Sequence, residues 1–213
     1  MADLNEMALM VQKGDFKEVE RLTQEALNEG LPAQGVLEAG LIAGMNVIGA
    51  RFKKNEIYVP EVLLAARAMK AGMALLKPIL ADTGAEPVGR VVLGTVKGDQ
   101  HDIGKNLVGM MLEGAGFEVF DLGVDTPSEK FVEAAREKKA DIVAMSALLT
   151  TTMPHMKTII EALKAAGLTA KTMVGGAPVN QRFAKEIKAD GYGKDGAVAV
   201  EKAKGLLGKK SRP

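Results

Sequence analysis

The chain of 213 residues has no cysteine and no tryptophan, and its only histidines are His101 and His155. Without cysteine there can be no disulfide, thiolate zinc site, iron–sulfur cluster or thiol nucleophile. A reducing, cytoplasmic setting fits that absence. Aromatic residues make up 4% of the chain against 47% for the hydrophobic set, so the core must be built from Ala, Val, Leu, Ile and the 12 Met. That much aliphatic surface is enough to fold around. Charge of one sign is missing too: 28 Lys and Arg against 27 Asp and Glu leave a net charge of +1. With the signs mixed along the chain there is no broad basic face for a phosphate backbone, so nucleic acid is not an expected partner. No uninterrupted apolar run approaches the roughly 20 residues that cross a bilayer. The start, Met1-Ala2-Asp3-Leu4-Asn5-Glu6, is acidic rather than signal-like, and no membrane association is expected.

The first eighty residues carry helical periodicity only. Leu4, Met7, Ala8 and Val11 recur at three- and four-residue spacing until Gly14 interrupts them. Asp15 is placed to cap a second helix through Phe16, Val19, Leu22, Ala26 and Leu27, which Gly30 closes. Pro32 opens a third, thinned on one side by Gly35, Gly40, Gly44 and Gly49 so that a neighbour or ligand can approach closely. After the polar loop Lys53-Lys54-Asn55-Glu56, Val59-Pro60 starts a fourth helix with an apolar stripe of Val62, Leu63, Ala66, Met69, Met73 and Leu76. These helices form a small antiparallel bundle, residues 1–80, and the aperiodic stretch 81–89, with two Gly and a Pro, is a linker.

The texture then changes. Short apolar runs at Val91–Val96, Glu118–Leu122, Asp141–Met145 and Lys171–Val174 alternate with helical stretches near Ile103–Glu113, from Ser128, at Met153–Ala165 and near Val179–Lys188. That alternation means right-handed βαβ units and a parallel sheet, a Rossmann-like (flavodoxin-like) α/β domain over 90–213. In such a sheet ligands bind beyond the carboxyl ends of the strands, which directs attention to the first loop. It reads Lys97-Gly98-Asp99-Gln100-His101-Asp102-Ile103-Gly104-Lys105-Asn106. The dinucleotide pattern G-x-G-x-x-G is absent, and a P-loop would need four residues between its glycines and a Ser or Thr after the lysine. Five lie between Gly98 and Gly104, and Asn106 follows Lys105. What remains is a histidine two residues after an aspartate. Such a pair suits a metal-ligating imidazole oriented by a carboxylate, and equally a plain loop histidine bonded to its neighbour with Asp102 capping the next helix.

The wider pattern carries a resemblance. Asp99-x-His101-x-x-Gly104, 41 residues, Ser146-x-Leu148, 26 residues and then Gly175-Gly176 resembles the three-part signature of the cobalamin-binding domains of methionine synthase, the B12-dependent mutases and the methanogen and acetogen corrinoid proteins. Glu38–Gly49 and Arg51–Pro60 resemble the helical cap domain of the methyl-transferring members, so the likeness runs from about Leu4 to Leu207.

The resemblance implies that cobalamin or a related corrinoid binds with its own benzimidazole displaced (base-off). His101 is then the lower axial cobalt ligand, with Asp99 and Thr152 as the relay that orients it. It implies further that Gly98, Gln100, Asp102, Ile103 and Gly104 surround that ligand. A slot for the nucleotide tail falls to the small residues Gly94, Ser146, Gly175, Gly176 and Ala177, with Leu148 and the Thr150 hydroxyl beside it. Glu38, Phe52 and Val59 are implied to cover the upper face, where methylcobalamin carries its methyl group as cobalt cycles between Co(I) and methyl-Co(III). Tyr58 is read as packing with its hydroxyl at the rim, and His155 as a surface residue.

The implied function is that of a non-catalytic methyl carrier in anaerobic one-carbon metabolism. A substrate-specific corrinoid methyltransferase would load it, and a second methyltransferase would unload it to tetrahydrofolate or a thiol such as coenzyme M. A separate reductive activase would restore Co(I), because the chain has no redox centre of its own. A B12-dependent sensor or regulatory module is the alternative, and a mutase small subunit fits less well because mutase modules lack the cap. A chain of this length has no room for the methyl-donor barrel, which takes roughly 250 residues.

Overall fold

A computed structural model describes residues 3–82 and 86–208, and they fall into two compact units, one of residues 3–82 and 86 with 114–116 and one of 87–113 with 117–208.

The first unit is helical. In α1 (Leu4–Lys13), Asp3 caps the amino end, and Gly14 ends the helix in the left-handed region at φ 73°. Helix α2 (Phe16–Asn28) begins where the Asp15 side chain accepts a hydrogen bond from the Glu18 amide at 3.1 Å. The third helical stretch is continuous from Ala33 to Lys53 but not uniform. A short α3 (Ala33–Gly35) runs into a π-helical segment, Val36–Ile42, and then into α4 (Ala43–Lys53). Pro32 is the residue before this stretch, with extended ψ of 128°, and not its first helical residue. A Cβ on Gly40 would lie 2.4 Å from the Met7 sulfur and one on Gly44 2.6 Å from the Ala8 carbonyl, so these glycines do let the helix lie close against α1. The stretch has the length and mean hydropathy (1.2) of a membrane span, but Val36, Leu37, Leu41, Met45 and Ile48 are buried within the fold.

The last helix of this unit, α5 (Val59–Asp82), continues two residues into the stretch read as a linker, of which 83–85 lie outside the described residues. Its buried face is Val62, Ala65, Ala68, Met69, Leu76 and Leu80, whereas Leu63, assigned to the apolar stripe, is 40% exposed. The face turned inward is the one whose small side chains permit close approach. A Cβ on Gly72 would sit 3.0 Å from the Thr23 hydroxyl of α2.

The second unit is a five-stranded, all-parallel sheet in the order β2-β1-β3-β4-β5: β1 (Arg90–Thr95), β2 (Glu118–Asp121), β3 (Ile142–Ser146), β4 (Lys171–Gly175) and β5 (Gly191–Gly193). Helices α6 (Ile103–Gly114), α7 (Ser128–Glu137), α8 (Pro154–Ala165), α9 (Gln181–Glu186) and α10 (Gly196–Leu206) connect and cover the strands. Val92, Val143, Met145 and Val174 pack with Phe131, Met156, Ile159, Ile160 and Leu163 in a core built without tryptophan. The sequence reading has no counterpart for β5 and α10, since a three-residue strand of Gly-Tyr-Gly carries no period to read. The strand order reverses direction between β1 and β3, which opens a crevice beyond their carboxyl ends.

Candidate functional site

Three strand ends meet at that crevice. At the end of β1, Thr95 and Val96 are paired with neighbouring chain, the Val96 amide donating to the Ser146 carbonyl at 3.0 Å. The chain then turns through Gly98, at φ 80°, and drops Asp99 into the interior. Asp99 is fully buried, an arrangement that a carboxylate tolerates only when hydrogen bonds replace its lost water.

They do so on both oxygens. Oδ1 accepts from the His101 backbone amide at 3.1 Å and lies 2.7 Å from His101 Nδ1. Oδ2 accepts from the Leu148 amide at 2.7 Å, the Leu149 amide at 3.3 Å and the Thr152 hydroxyl at 2.8 Å. Burial by itself pushes the carboxyl pKa up. The bonds from Leu148, His101 and Thr152 outweigh it and hold the group well below the usual carboxylate range. Asp99 is therefore an anion at neutral pH, and His101 Nδ1 must carry a proton to donate to it. Nε2 then presents its lone pair, on a side chain that is 50% exposed. Thr95 fixes the same residue from behind, its hydroxyl donating to the His101 carbonyl at 2.8 Å.

Thr152 is 5% exposed and reaches Asp99 from the turn after β3, a contact across 53 residues of sequence. Gln100, Asp102, Ile103 and Gly104 flank His101 and are exposed, Ile103 at 82%. The Asp102 carbonyl accepts from the Asn106 amide at 2.7 Å, the first bond of α6, and its carboxylate accepts from the Asn106 side chain at 3.1 Å. Leu148 and Leu149 expose their side chains at 42% and 41% while their amides hold the carboxylate. Ser146 is half-buried at the end of β3, and Thr150 is exposed.

The glycines differ in what occupies their missing side chains. A Cβ on Gly176, at φ 120°, would fall 1.9 Å from the Ala147 carbonyl oxygen, so the loops after β3 and β4 touch backbone to backbone. On Gly175 it would lie 3.0 Å from the Gly193 carbonyl, and on Gly94 2.8 Å from the Phe131 ring. Gly94 thus has a packing reason of its own under the sheet. Gly104 faces open space, and Ala177 is exposed.

In the helical unit, Glu38 lies exposed on the π-helical segment and accepts from the Gln34 side chain at 2.8 Å. Phe52 is half-buried near the end of α4, Val59 is 37% exposed at the start of α5, and Tyr58 is 70% exposed. His155 is half-buried in the first turn of α8. Reading the sequence missed the Leu149 amide and the Thr95 hydroxyl. Neither leaves a signal in sequence, because each acts from an ordinary strand-end or turn position.

Among the described residues no group of three His, Cys, Asp or Glu could hold a bare metal ion. One oriented imidazole suits instead a metal whose other positions a macrocycle already fills, and a corrinoid meets that description. The residues present fit such a group.

Comparison with known proteins agrees. Residues 3–77 and residues 89–201 each match a family described as a B12 binding domain. A corrinoid protein of Desulfitobacterium hafniense is 44% identical over 98% of this chain and 99% of its own length. The dimethylamine corrinoid protein of Methanosarcina barkeri is 46% identical over 87% of this chain and 88% of its own. The solved structure of the methanol:cobalamin methyltransferase complex of Methanosarcina barkeri superposes with a TM-score of 0.85 at 31% identity, covering 96% of this chain and 79% of that one. The chain belongs to the B12-binding corrinoid proteins, with a helical B12 binding domain preceding an α/β one.

Proposed function

We propose that this corrinoid protein carries a methyl group between two methyltransferases and that His101 is its lower axial cobalt ligand, held by Asp99 and Thr152. The observation that carries the assignment is the 2.7 Å contact of His101 Nδ1 with a fully buried carboxylate, which engages one ring nitrogen of a half-exposed side chain and leaves Nε2 for a ligand. A bound corrinoid would supply a cobalt centre that accepts and releases a methyl group. The protein's part would be to offer it an imidazole: Asp99 holds the Nδ1 proton and the ring orientation, which leaves Nε2 as the atom to meet the metal. Base-off binding follows from the same assignment, since a protein imidazole and the cofactor's own base compete for one position.

Glu38, Phe52 and Val59 are assigned to the upper face, where apolar cover from Phe52 and Val59 excludes water. Gly98, Gln100, Asp102, Ile103 and Gly104 are assigned to the surroundings of the axial base. Gly94, Ser146, Leu148, Thr150, Gly175, Gly176 and Ala177 are assigned to the tail slot, where the Gly176 contact with Ala147 supports a narrow wall. The partners in this reading are a substrate-specific methyltransferase, a second methyltransferase to a folate or thiol acceptor and a reductive activase. The relatives named for dimethylamine and the methanol complex support the first of these. A cytoplasmic location and a helical cap of 1–80 preceding the α/β domain belong to the same proposal.

Reconstitution with hydroxocobalamin tests the ligand. The visible spectrum of the bound cofactor is expected to differ from that of the free one and to change in His101→Ala. A spectrum identical in the variant would overturn the assignment.

A further inference from the structure

The loop between β2 and α7 makes contacts that the Asp99 relay does not require. Asp125 lies in the left-handed region at φ 49°, where a non-glycine residue is strained, and Asp and Asn are among the side chains that tolerate it best. Its side chain and its backbone amide both bond across to the Gly98–Asp99 turn. The Asp125 carboxylate accepts from the Gly98 amide at 2.6 Å, and the Asp125 amide donates to the Asp99 carbonyl at 2.9 Å. The adjoining residues extend the seam. The Thr126 amide donates to the Thr95 carbonyl at 3.0 Å, the Thr95 amide donates to the Gly123 carbonyl at 3.0 Å, and Val96 and Thr126 form a parallel bridge.

The other end of the loop is anchored as well. Asp121 pairs with the ammonium of Lys105, which is 3% exposed and lies four residues after His101, and it also accepts from the Gly123 amide at 2.9 Å. The segment 98–105 is therefore tied to the β2–α7 loop on both sides of His101.

We infer that Asp125 is a positioning residue for His101: it straps the Gly98–Asp99 peptide so that the turn delivering the imidazole keeps one conformation. Backbone held in a sparsely populated region persists where neighbouring contacts over-determine it, and here those contacts converge on the turn that carries the axial base. The inference rests on the proposal that His101 ligates cobalt. It adds that the aim of the ring depends on a residue 24 positions away in sequence that does not touch it.

Two variants separate the parts played by Asp125. Asp125→Asn keeps an acceptor oxygen and a side chain that tolerates the left-handed region. Asp125→Gly relieves the strain and removes only the acceptor. Each is made with 15N-labelled histidine, loaded with hydroxocobalamin, reduced to Co(II) and examined by electron paramagnetic resonance, in which a 15N-imidazole on cobalt splits each cobalt line into two whereas the cofactor's own 14N base would give three; the twofold splitting is the signal followed. The same proteins without cofactor are examined by amide hydrogen exchange.

Asp125→Asn is expected to match the unmodified protein. Asp125→Gly is expected to lose more than about half of the twofold-split signal and to exchange the His101 amide about tenfold faster, with β3 and β4 amides unchanged. Unchanged splitting together with an unchanged His101 amide in Asp125→Gly would overturn the inference. So would exchange accelerated equally throughout the sheet, which marks a residue that merely stabilises the fold. A His101→Ala control that retains the twofold splitting would instead refute the axial-ligand reading. The His101 amide in the cofactor-free Asp125→Gly protein still decides the strap in that case.

Discussion

Replacing Asp99 by Asn puts the relay to its most demanding test, because the change removes one charge and converts one oxygen to a donor without altering shape. Five donor atoms approach the Asp99 carboxylate within 3.3 Å. Asn offers one accepting oxygen. The less costly orientation keeps it on the side of Leu148, Leu149 and Thr152 and turns the amide nitrogen toward His101. The His101 backbone amide then loses its acceptor, a cost of about 1–3 kcal/mol, and three bonds to a charged acceptor become neutral, at about 1 kcal/mol each. Relief from burying a charge offsets part of this. We expect a net loss of about 3 kcal/mol at pH 7 in the α/β unit, read from hydrogen exchange of β1 and β3 amides in increasing urea.

The pH dependence has a definite sign. The folded pKa of Asp99 lies below its unfolded value of about 3.9, so its contribution is complete above about pH 4 and is lost as the pH falls toward the folded value. The advantage of the unmodified protein over the variant therefore shrinks below pH 4, by at most about 1.4 kcal/mol per pH unit. The substitution also reverses the imidazole: an amide N–H facing Nδ1 favours the tautomer protonated on Nε2, which has no lone pair to give a metal. Stability within about 1 kcal/mol of the unmodified protein at pH 7, or a difference constant from pH 6 to pH 3, would refute the reasoning.

Substitutions at three further positions probe the same crevice. Thr152→Val keeps the buried shape but removes the 2.8 Å bond to Asp99, and should cost about 1–2 kcal/mol in urea unfolding, with Thr152→Ser restoring most of it. Gly176→Ala sets a methyl 1.9 Å from a backbone oxygen at φ 120°, and should cost more than about 3 kcal/mol or abolish folding of the α/β unit. Gly104→Ala, into open space at the start of α6, should change stability by less than about 0.5 kcal/mol.

Much of the site was legible because its parts sit at strand ends, and strand ends are the places where short apolar runs stop. The strand ends directed attention to Asp99 and His101, and the resemblance to cobalamin-binding domains added the Ser146 and Gly175 positions. The fourth helix shows where legibility ended. Leu63 looks like a core residue, yet it is 40% exposed, because small Ala65 and Ala68 face the neighbouring helices and bring them closer than leucines would. The π-helical winding of Val36–Ile42 was equally invisible, since its residues have the periodicity of any apolar helix.

Sequence by itself determined the helical first part and the parallel sheet of the second, since apolar period and glycine punctuation are local properties, and its resemblance to cobalamin-binding domains pointed to His101 as the candidate ligand. Only the tertiary structure added the backbone amides, Thr95 and Asp125 to the Asp99–Thr152 relay that the resemblance implies. The donors that keep Asp99 charged come from Leu148, Leu149 and Thr152, about fifty residues away, and Asp125 reaches the same turn from another loop. Those distances close only when parallel strands place their carboxyl ends side by side, and a pairing of that kind follows from the register of the sheet rather than from any residue's neighbours in sequence.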